Sequence, residues 1–292
     1  MSAFRLVQVS DTHLSGTRGY FFDNWDVFVR EMEKAPPDLI VCTGDVSLRG
    51  TDDEDDLAFA RAELDRLPAR VLVLPGNHDI GDTPPDPRLD RPINDVRRNR
   101  WLRQFGADWW AEDFGEWRLY GLNAQLIDSG LAAEDRQLGW FEQALEQGRG
   151  RPGALFIHKP LFYKDPEDKT KTLACLYAAG RKRVMGLCRK YGVRLVASGH
   201  LHCYRTTRHR DMQMIWAPAT AFINTKRRKR PPVRLVRRLG YLRYEFNGRR
   251  VKHEFVEPEL FINHDTRNIS INLGSTIFLP PRPQPLLGKA AE

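Results

Sequence analysis

Five short blocks of this chain carry residue types that bind metal ions: Asp11-Thr12-His13, Gly44-Asp45, Gly76-Asn77-His78-Asp79, a lone His158, and Gly199-His200-Leu201-His202. Together they offer enough carboxylate, amide and imidazole donors for two adjacent ions, with one histidine to spare. Paired ions of this kind hydrolyse phosphate esters. Two cations roughly 3.5–4 Å apart lower the pKa of a bridging water, so that hydroxide forms near neutral pH and attacks phosphorus in line. A histidine placed to act as acid adds typically about 10²–10⁴-fold. Taken singly, a strand-end Gly-Asp is an ordinary turn and a lone His158 an ordinary core histidine. Packing alone does not produce all five in one chain, each at the end of an apolar run.

Something must bring them together. FRLVQVS precedes the first block, DLIVCTG the second and VLVLPG the third; ALFIH ends in His158, and VRLVASG leads into the last. Short apolar runs separated by helical lengths indicate β-α-β units and a buried sheet. Helices are predicted near 24–34, 53–66, 135–147 and 181–191. An open α/β sheet collects ligands at the carboxyl ends of its strands. If the first strand extends through Asp11 and His13, alternation points both side chains the same way. The same reasoning puts His200 and His202 on one face of an extended segment. Asp45, just past a strand and after Gly44, is placed for its carboxylate to bridge. Asn77 offers a neutral carbonyl oxygen.

Residues 81–92 are too rich in Pro and Asp for regular structure and read as a loop. The aromatic stretch 101–117 reads as core or cap packing, leading into a strand at RLYGLNA. Beyond the last block, DMQMIWAP, GYLRYEF and RRVKHEFV read as strands, so the C-terminal part is expected to be antiparallel. Asn247-Gly248 is the predicted hairpin turn. The chain is expected to be one domain over 1–273, with 80–117 as a cap or insert, 226–238 as a basic loop and 274–292 as an extended tail.

Bulk composition narrows the class. At 41% hydrophobic and 29% charged, the chain is an ordinary soluble globular sequence. No apolar run approaches the roughly 20 residues a membrane span needs. The first strand begins close to Met1, leaving no room for a signal peptide, and Cys42, Cys175, Cys188 and Cys203 show no paired spacing, so reduced thiols and a cytoplasmic location are expected. The net charge of +8 is local: residues 226–238 (KRRKRPPVRLVRR) hold eight Lys/Arg and no acid, which equals the whole excess. A general nucleic-acid binder is therefore not indicated. That one segment could still attract a nucleic acid or an anionic surface.

The ordered set D-x-H, G-D-x-x-x-x-G, G-N-H-D, H and G-H-x-H resembles the calcineurin-like metallophosphoesterases over residues 4 to about 256. The resemblance implies a four-layer α/β/β/α sandwich with two divalent or trivalent metal ions (Mn, Fe, Zn or Co). By that likeness Asp11, His13, Asp45 and His202 hold the first ion, and Asp45, Asn77, His158 and His200 the second. His78, oriented by Asp79, stabilises the transferring phosphoryl oxygen or protonates the leaving group. Protein Ser/Thr phosphatases of the superfamily carry G-D-x-V-D-R-G and R-G-N-H-E, whereas this chain has GDVSLRG and PGNHD. Lipid-A-pathway hydrolases usually have Thr between the last two histidines, where this chain has Leu201. SDTHL, GLNAQ before QLGWFEQAL, APAT after the last block, and the terminal hairpin are similar to bacterial class III cyclic-nucleotide and glycerophosphodiester phosphodiesterases. Two features depart from them: Lys159 in place of a second histidine, and the KRRKR run. Lys159 and Lys164 read as surface lysines within reach of a phosphate. The expected substrate is a small phosphodiester, with a nuclease, a phosphomonoesterase or a non-catalytic binding scaffold as alternatives. Oligomeric state is left open.

Overall fold

The computed structural model describes residues 3–84, 91–224 and 233–266. Two sheets face each other. The first has the order β11-β10-β1-β2-β3, with β1 at Phe4–Val9, β2 at Leu39–Cys42, β3 at Val71–Val73, β10 at Tyr241–Asn247 and β11 at Arg250–Val256. The second has the order β4-β5-β6-β7-β9-β8, with β4 at Trp110–Phe114, β5 at Trp117–Leu122, β6 at Gly153–Ile157, β7 at Val193–Ser198, β8 at Arg205–His209 and β9 at Met212–Trp216.

The pleat sorts side chains into layers. Leu6 on β1, Val41 on β2, Leu119 on β5, Phe156 on β6 and Leu242 on β10 form the apolar layer between the sheets. Their neighbours Val7, Val9, Ile40 and Cys42 face the other way, onto α1 (Phe22–Lys34) and α2 (Glu54–Leu64). Across the second sheet, Leu122, Leu155, Ile157 and Val196 pack on α5 (Ala132–Gln147) and α6 (Ala178–Lys190). The result is the expected α/β/β/α sandwich. Central strands such as LIVC and GALFI are buried along their whole length, as parallel strands covered on both faces must be. Trp25, Phe28 and Met32 form the buried stripe of α1, and the Asp53 carboxylate caps α2 by accepting from Asp55 N–H.

The loop 81–92 begins and ends on the fold, because Asp82 and Pro92 form a β-bridge. The short α3 (Asn77–Ile80) leads into it, and α4 (Asp95–Phe105) follows it, with Trp101 buried in the first helical layer. Two expectations need correction. β9 runs parallel to β7, pairing Leu195 with Gln213 through Ser198 with Trp216, because the unanticipated edge strand β8 reverses the chain first. The C-terminal part is thus antiparallel where β8 meets β9, where β10 meets β1 and in the β10–β11 hairpin, but not where β9 meets β7. That hairpin turns one residue late. Asn247 pairs with Arg250, and the turn is Gly248-Arg249, with Gly248 at φ 52° as a glycine-first two-residue turn requires. The four cysteines are buried free thiols. Among the described residues no helix is long and apolar enough to cross a membrane. The tail from 274, and Lys226–Arg230 of the basic run, lie outside the described residues.

Candidate metal centre

Each block leaves the carboxyl end of a parallel strand. Asp11 and His13 follow β1, Asp45 follows β2, and Asn77 and His78 open α3 after β3; from the facing sheet, His158 follows β6, and His200 and His202 follow β7. The two sheets therefore supply one site from both sides. The ligand atoms of Asp11, His13, Asp45 and His202 lie within 4.8 Å of one another, as do those of Asp45, His158 and His200. Asn77 joins the second group, its Oδ1 lying 3.2 Å from His158 Nε2. Asp45 belongs to both groups. Asp11, His13, Asp45, His158, His200 and His202 fit a binuclear metal centre.

The backbone that aims them is not extended. β1 stops at Val9, and φ is 54° at Asp11, 46° at His13, 50° at Asp45, 70° at His200 and 50° at His202. These are five of the seven non-glycine residues with positive φ among the described residues. Strand alternation, as expected from the spacing, would leave residues two apart separated by about 6.6 Å along the strand. Left-handed turns curl each pair inward instead, at about 1–3 kcal/mol per residue. Main-chain bonds hold the strain in place: Asp11 N–H donates to Gly44 O at 3.0 Å, and His13 N–H to Asp45 O at 3.0 Å. The glycines of the motifs permit close approach. A Cβ on Gly76 would stand 2.1 Å from Asp45 Oδ1, and one on Gly199 would stand 1.9 Å from Ser10 Oγ.

Main-chain carbonyls set the imidazole tautomers. A carbonyl only accepts, so the ring nitrogen bonded to it must carry the proton. His158 Nδ1 donates to Thr43 O at 2.7 Å, and His202 Nδ1 to Phe222 O at 2.6 Å, leaving both Nε2 lone pairs for the centre. His200 is reversed: Nε2 donates to Leu173 O at 2.8 Å, and Nδ1 faces inward. Carbonyl partners of this kind orient metal-bound histidines and raise their basicity. His13 lacks one, its Nδ1 being buried without a hydrogen-bond partner.

The inward atoms then stand in an arrangement that calls for positive charge. His13 Nε2 lies 3.3 Å from His202 Nε2, and His158 Nε2 lies 3.2 Å from His200 Nδ1. Lone pairs that close repel unless a cation or a proton lies between them. Asp11 Oδ2 is occupied by Ser10 Oγ–H and His200 N–H, while its buried Oδ1 accepts no hydrogen bond and lies 3.3 Å from His202 Nε2. Burial alone would lower His158, but the Asp45 carboxylate 3.4 Å away outweighs it and holds that imidazole up at about 9. His202 is likewise raised, its burial overcome by Asp11. Burial would raise Asp45; the surrounding His158 and His78 instead hold it well below the usual carboxylate range. Carboxylate oxygen with imidazole nitrogen, and no thiolate, is a donor set for first-row divalent ions.

His78 stands beside these groups and outside both, its ring edge-on to His13 with centroids 4.6 Å apart. Its Nδ1 donates to Leu48 O at 3.0 Å, so the Leu48 carbonyl orients this ring, and the expectation that Asp79 does so is corrected. Asp79 works on backbone instead. Its buried carboxylate accepts from Gly76 N–H (2.8 Å), Val46 N–H (3.2 Å), Ser47 N–H (2.8 Å) and Ser47 Oγ–H (2.6 Å), clasping the loop after Asp45 to the start of α3. Burial and the neighbouring Asp45 push its carboxyl up to about 6.

Lys159 also departs from expectation. It is 2% exposed, and its ammonium forms an ion pair with Asp82, tying the strand end that bears His158 to the loop after α3. Neither residue is available to substrate. Removing one partner of a buried pair costs about 3–5 kcal/mol, because the other is left charged and unpaired. Lys159→Met should lose stability on that scale in urea unfolding, and adding Asp82→Leu should recover much of it. A loss below about 1 kcal/mol for the single variant would show that the pair is not structural.

A family model described as calcineurin-like phosphoesterase matches residues 4–204. Among named relatives, the chain is 28% identical over 219 residues to a protein of Arcobacter nitrofigilis named "Probable glycerophosphodiester phosphodiesterase", covering 69% of this chain and 73% of that one. It is 25% identical to a human protein named "Serine/threonine-protein phosphatase" (68% and 66% covered), and 25% identical to a Coxiella burnetii protein named "Probable cyclic nucleotide phosphodiesterase" (76% and 85%). In fold it is similar to a purple acid phosphatase from yellow lupin seeds, with a TM-score of 0.66 at 16% identity, covering 88% of this chain and 52% of that one. The chain thus spans about half the length of the lupin enzyme.

Proposed function

The chain belongs to the calcineurin-like phosphoesterase family, and from that premise we propose that this metal-dependent phosphoesterase hydrolyses small phosphodiesters, cyclic nucleotides or glycerophosphodiesters. The observation that carries the reading is Asp45, shared between two ligand groups at the meeting edge of two sheets. Asp11, His13, Asp45 and His202 would hold one ion, and Asp45, Asn77, His158 and His200 the other, with Mn, Fe, Zn and Co as the fitting metals. Bound there, the ions supply Lewis-acid neutralisation of the phosphoryl oxygens and activation of the nucleophile.

The chain's own residues do the rest. Thr43, Leu173 and Phe222 carbonyls keep protons on the outward nitrogens of His158, His200 and His202, so that the inward ones present lone pairs to the centre. Asp79 holds the two ligand loops together. Leu48 O fixes the His78 ring by its Nδ1–H, so a protonated His78 carries its second proton on Nε2, ready for a phosphoryl oxygen or the departing oxygen.

Diester preference rests on the names of two relatives; the third, a protein phosphatase, favours a monoesterase and gives the test its second arm. The Mn²⁺-loaded protein should hydrolyse bis(p-nitrophenyl) phosphate, a cyclic nucleotide or a glycerophosphodiester faster than p-nitrophenyl phosphate or a single-stranded oligonucleotide. Faster turnover of the monoester or the oligonucleotide would replace the diester reading. A protein that takes up no metal and cleaves none of them would be a binding scaffold.

A further inference from the structure

Arg181, on the first turn of α6, is 3% exposed and makes no ion pair among the described residues. Its guanidinium donates only to main-chain oxygens, those of Leu176 at 3.4 Å and of Asp168. Burying a guanidinium carries a desolvation cost of several kcal/mol, so what it holds matters. It holds the irregular segment between β6 and α6, and its two acceptors bracket Leu173. The Leu173 carbonyl is the one that takes the His200 Nε2 proton, at 2.8 Å.

The other carbonyl partners are secured differently. Thr43 directly follows β2 in the core, and Phe222 is packed among Phe21, Leu48 and Ala221. Leu173 is half-buried, belongs to none of the apolar clusters and lies in the irregular segment between β6 and α6. The segment is further pinned at Leu176, whose N–H donates to Pro160 O at 3.0 Å. Two parallel donors of one guanidinium fix two carbonyls in a set geometry, which a lysine ammonium does not reproduce.

We infer that Arg181 is a positioning residue for the second ion: by clamping residues 168–176 it places Leu173 O, which keeps the proton of His200 on Nε2 and its Nδ1 directed at the centre. This rests on the metal-centre reading above, and the experiment separates the two. Mn²⁺ is titrated into the metal-free full chain by calorimetry, and bound metal is counted after dialysis, for wild type, Arg181→Met and Arg181→Lys. Wild type should bind two ions. Arg181→Met should bind the first as wild type does and the second about 10–100-fold more weakly, the usual effect of losing a group that orients a ligand. Arg181→Lys should fall between, and serves alone if the methionine variant does not fold.

A merely structural arginine would lower the unfolding midpoint while leaving the ratio of the two affinities unchanged. Equal affinities in variant and wild type, or equal weakening of both ions, would overturn the inference while leaving the metal centre intact. A wild-type chain that binds no Mn²⁺ would overturn both.

Discussion

Asp45→Asn should yield a folded protein that retains neither ion after dialysis and has lost about 10³-fold or more in kcat/KM on bis(p-nitrophenyl) phosphate. The change is nearly isosteric. The amide oxygen can still accept the His78 N–H that Asp45 Oδ1 takes at 2.8 Å, so the turn before α3 is preserved. What goes is the anion shared by both groups, with Oδ1 lying 3.4 Å from His158 Nε2 and Oδ2 3.8 Å from His13 Nε2. An amide there has one neutral oxygen and a nitrogen with no lone pair to offer a cation. Lewis-acid stabilisation is worth several kcal/mol, and each 1.4 kcal/mol is about tenfold in rate, which sets the three decades. Asn77→Ala is the informative comparison. Asn77 approaches only the second group, so one ion should remain while most turnover is lost. Two ions retained by Asp45→Asn would mean that the shared carboxylate is not a ligand.

His78→Gln should do the reverse, keeping both ions and losing about 10²–10⁴-fold in kcat. His78 lies outside both ligand groups, with its Nδ1 committed to Leu48 O; on the proposed reading its other nitrogen serves the substrate. The size of the loss should follow the leaving group. An alkoxide must be protonated as it departs, whereas p-nitrophenolate leaves without help, so a glycerophosphodiester should suffer more than bis(p-nitrophenyl) phosphate. Equal losses on both would assign His78 to the phosphoryl oxygen. Unchanged kcat on both would remove it from the chemistry, and a fall in metal content would make it a ligand.

Much of this site is legible along the chain because its chemistry resides in side-chain type. Only a few residues donate to metals, and DTH, GD, GNHD, H and GHLH place them after apolar runs. Parallel strands alternating with helices end at one edge, which gathers three blocks on the first sheet and two on the second; the packing of the two sheets then brings those edges together. The strand order is less legible. β8 is short, half-buried and at an edge, and missing it inverts the direction read for β9. The hairpin turn slips by one residue because Asn-Gly and Gly-first turns share the same glycine.

The sequence alone thus supplied the candidate donors, through residue identity, and alternating strands and helices, through periodicity; the layered sandwich and the phosphoester chemistry came from its resemblance to a metallophosphoesterase family. Tertiary structure decided how the ligands are held. The left-handed backbone at Asp11, His13, Asp45, His200 and His202 has no signature, since these are not glycines and only surrounding main-chain bonds sustain the strain. The carbonyls of Thr43, Leu48, Leu173 and Phe222 that orient the imidazoles have none either, because every residue has a carbonyl and only folding decides which one faces a ring. Lys159 reads as a surface lysine until folding sets Asp82, 77 residues away in the chain, against it. Arg181 reads as one more charge on a helix until the fold closes over it, leaving main-chain oxygens as its hydrogen-bond acceptors among the described residues. Side-chain chemistry is local and can be read along the chain; orientation and burial belong to pairs of distant residues and exist only after folding.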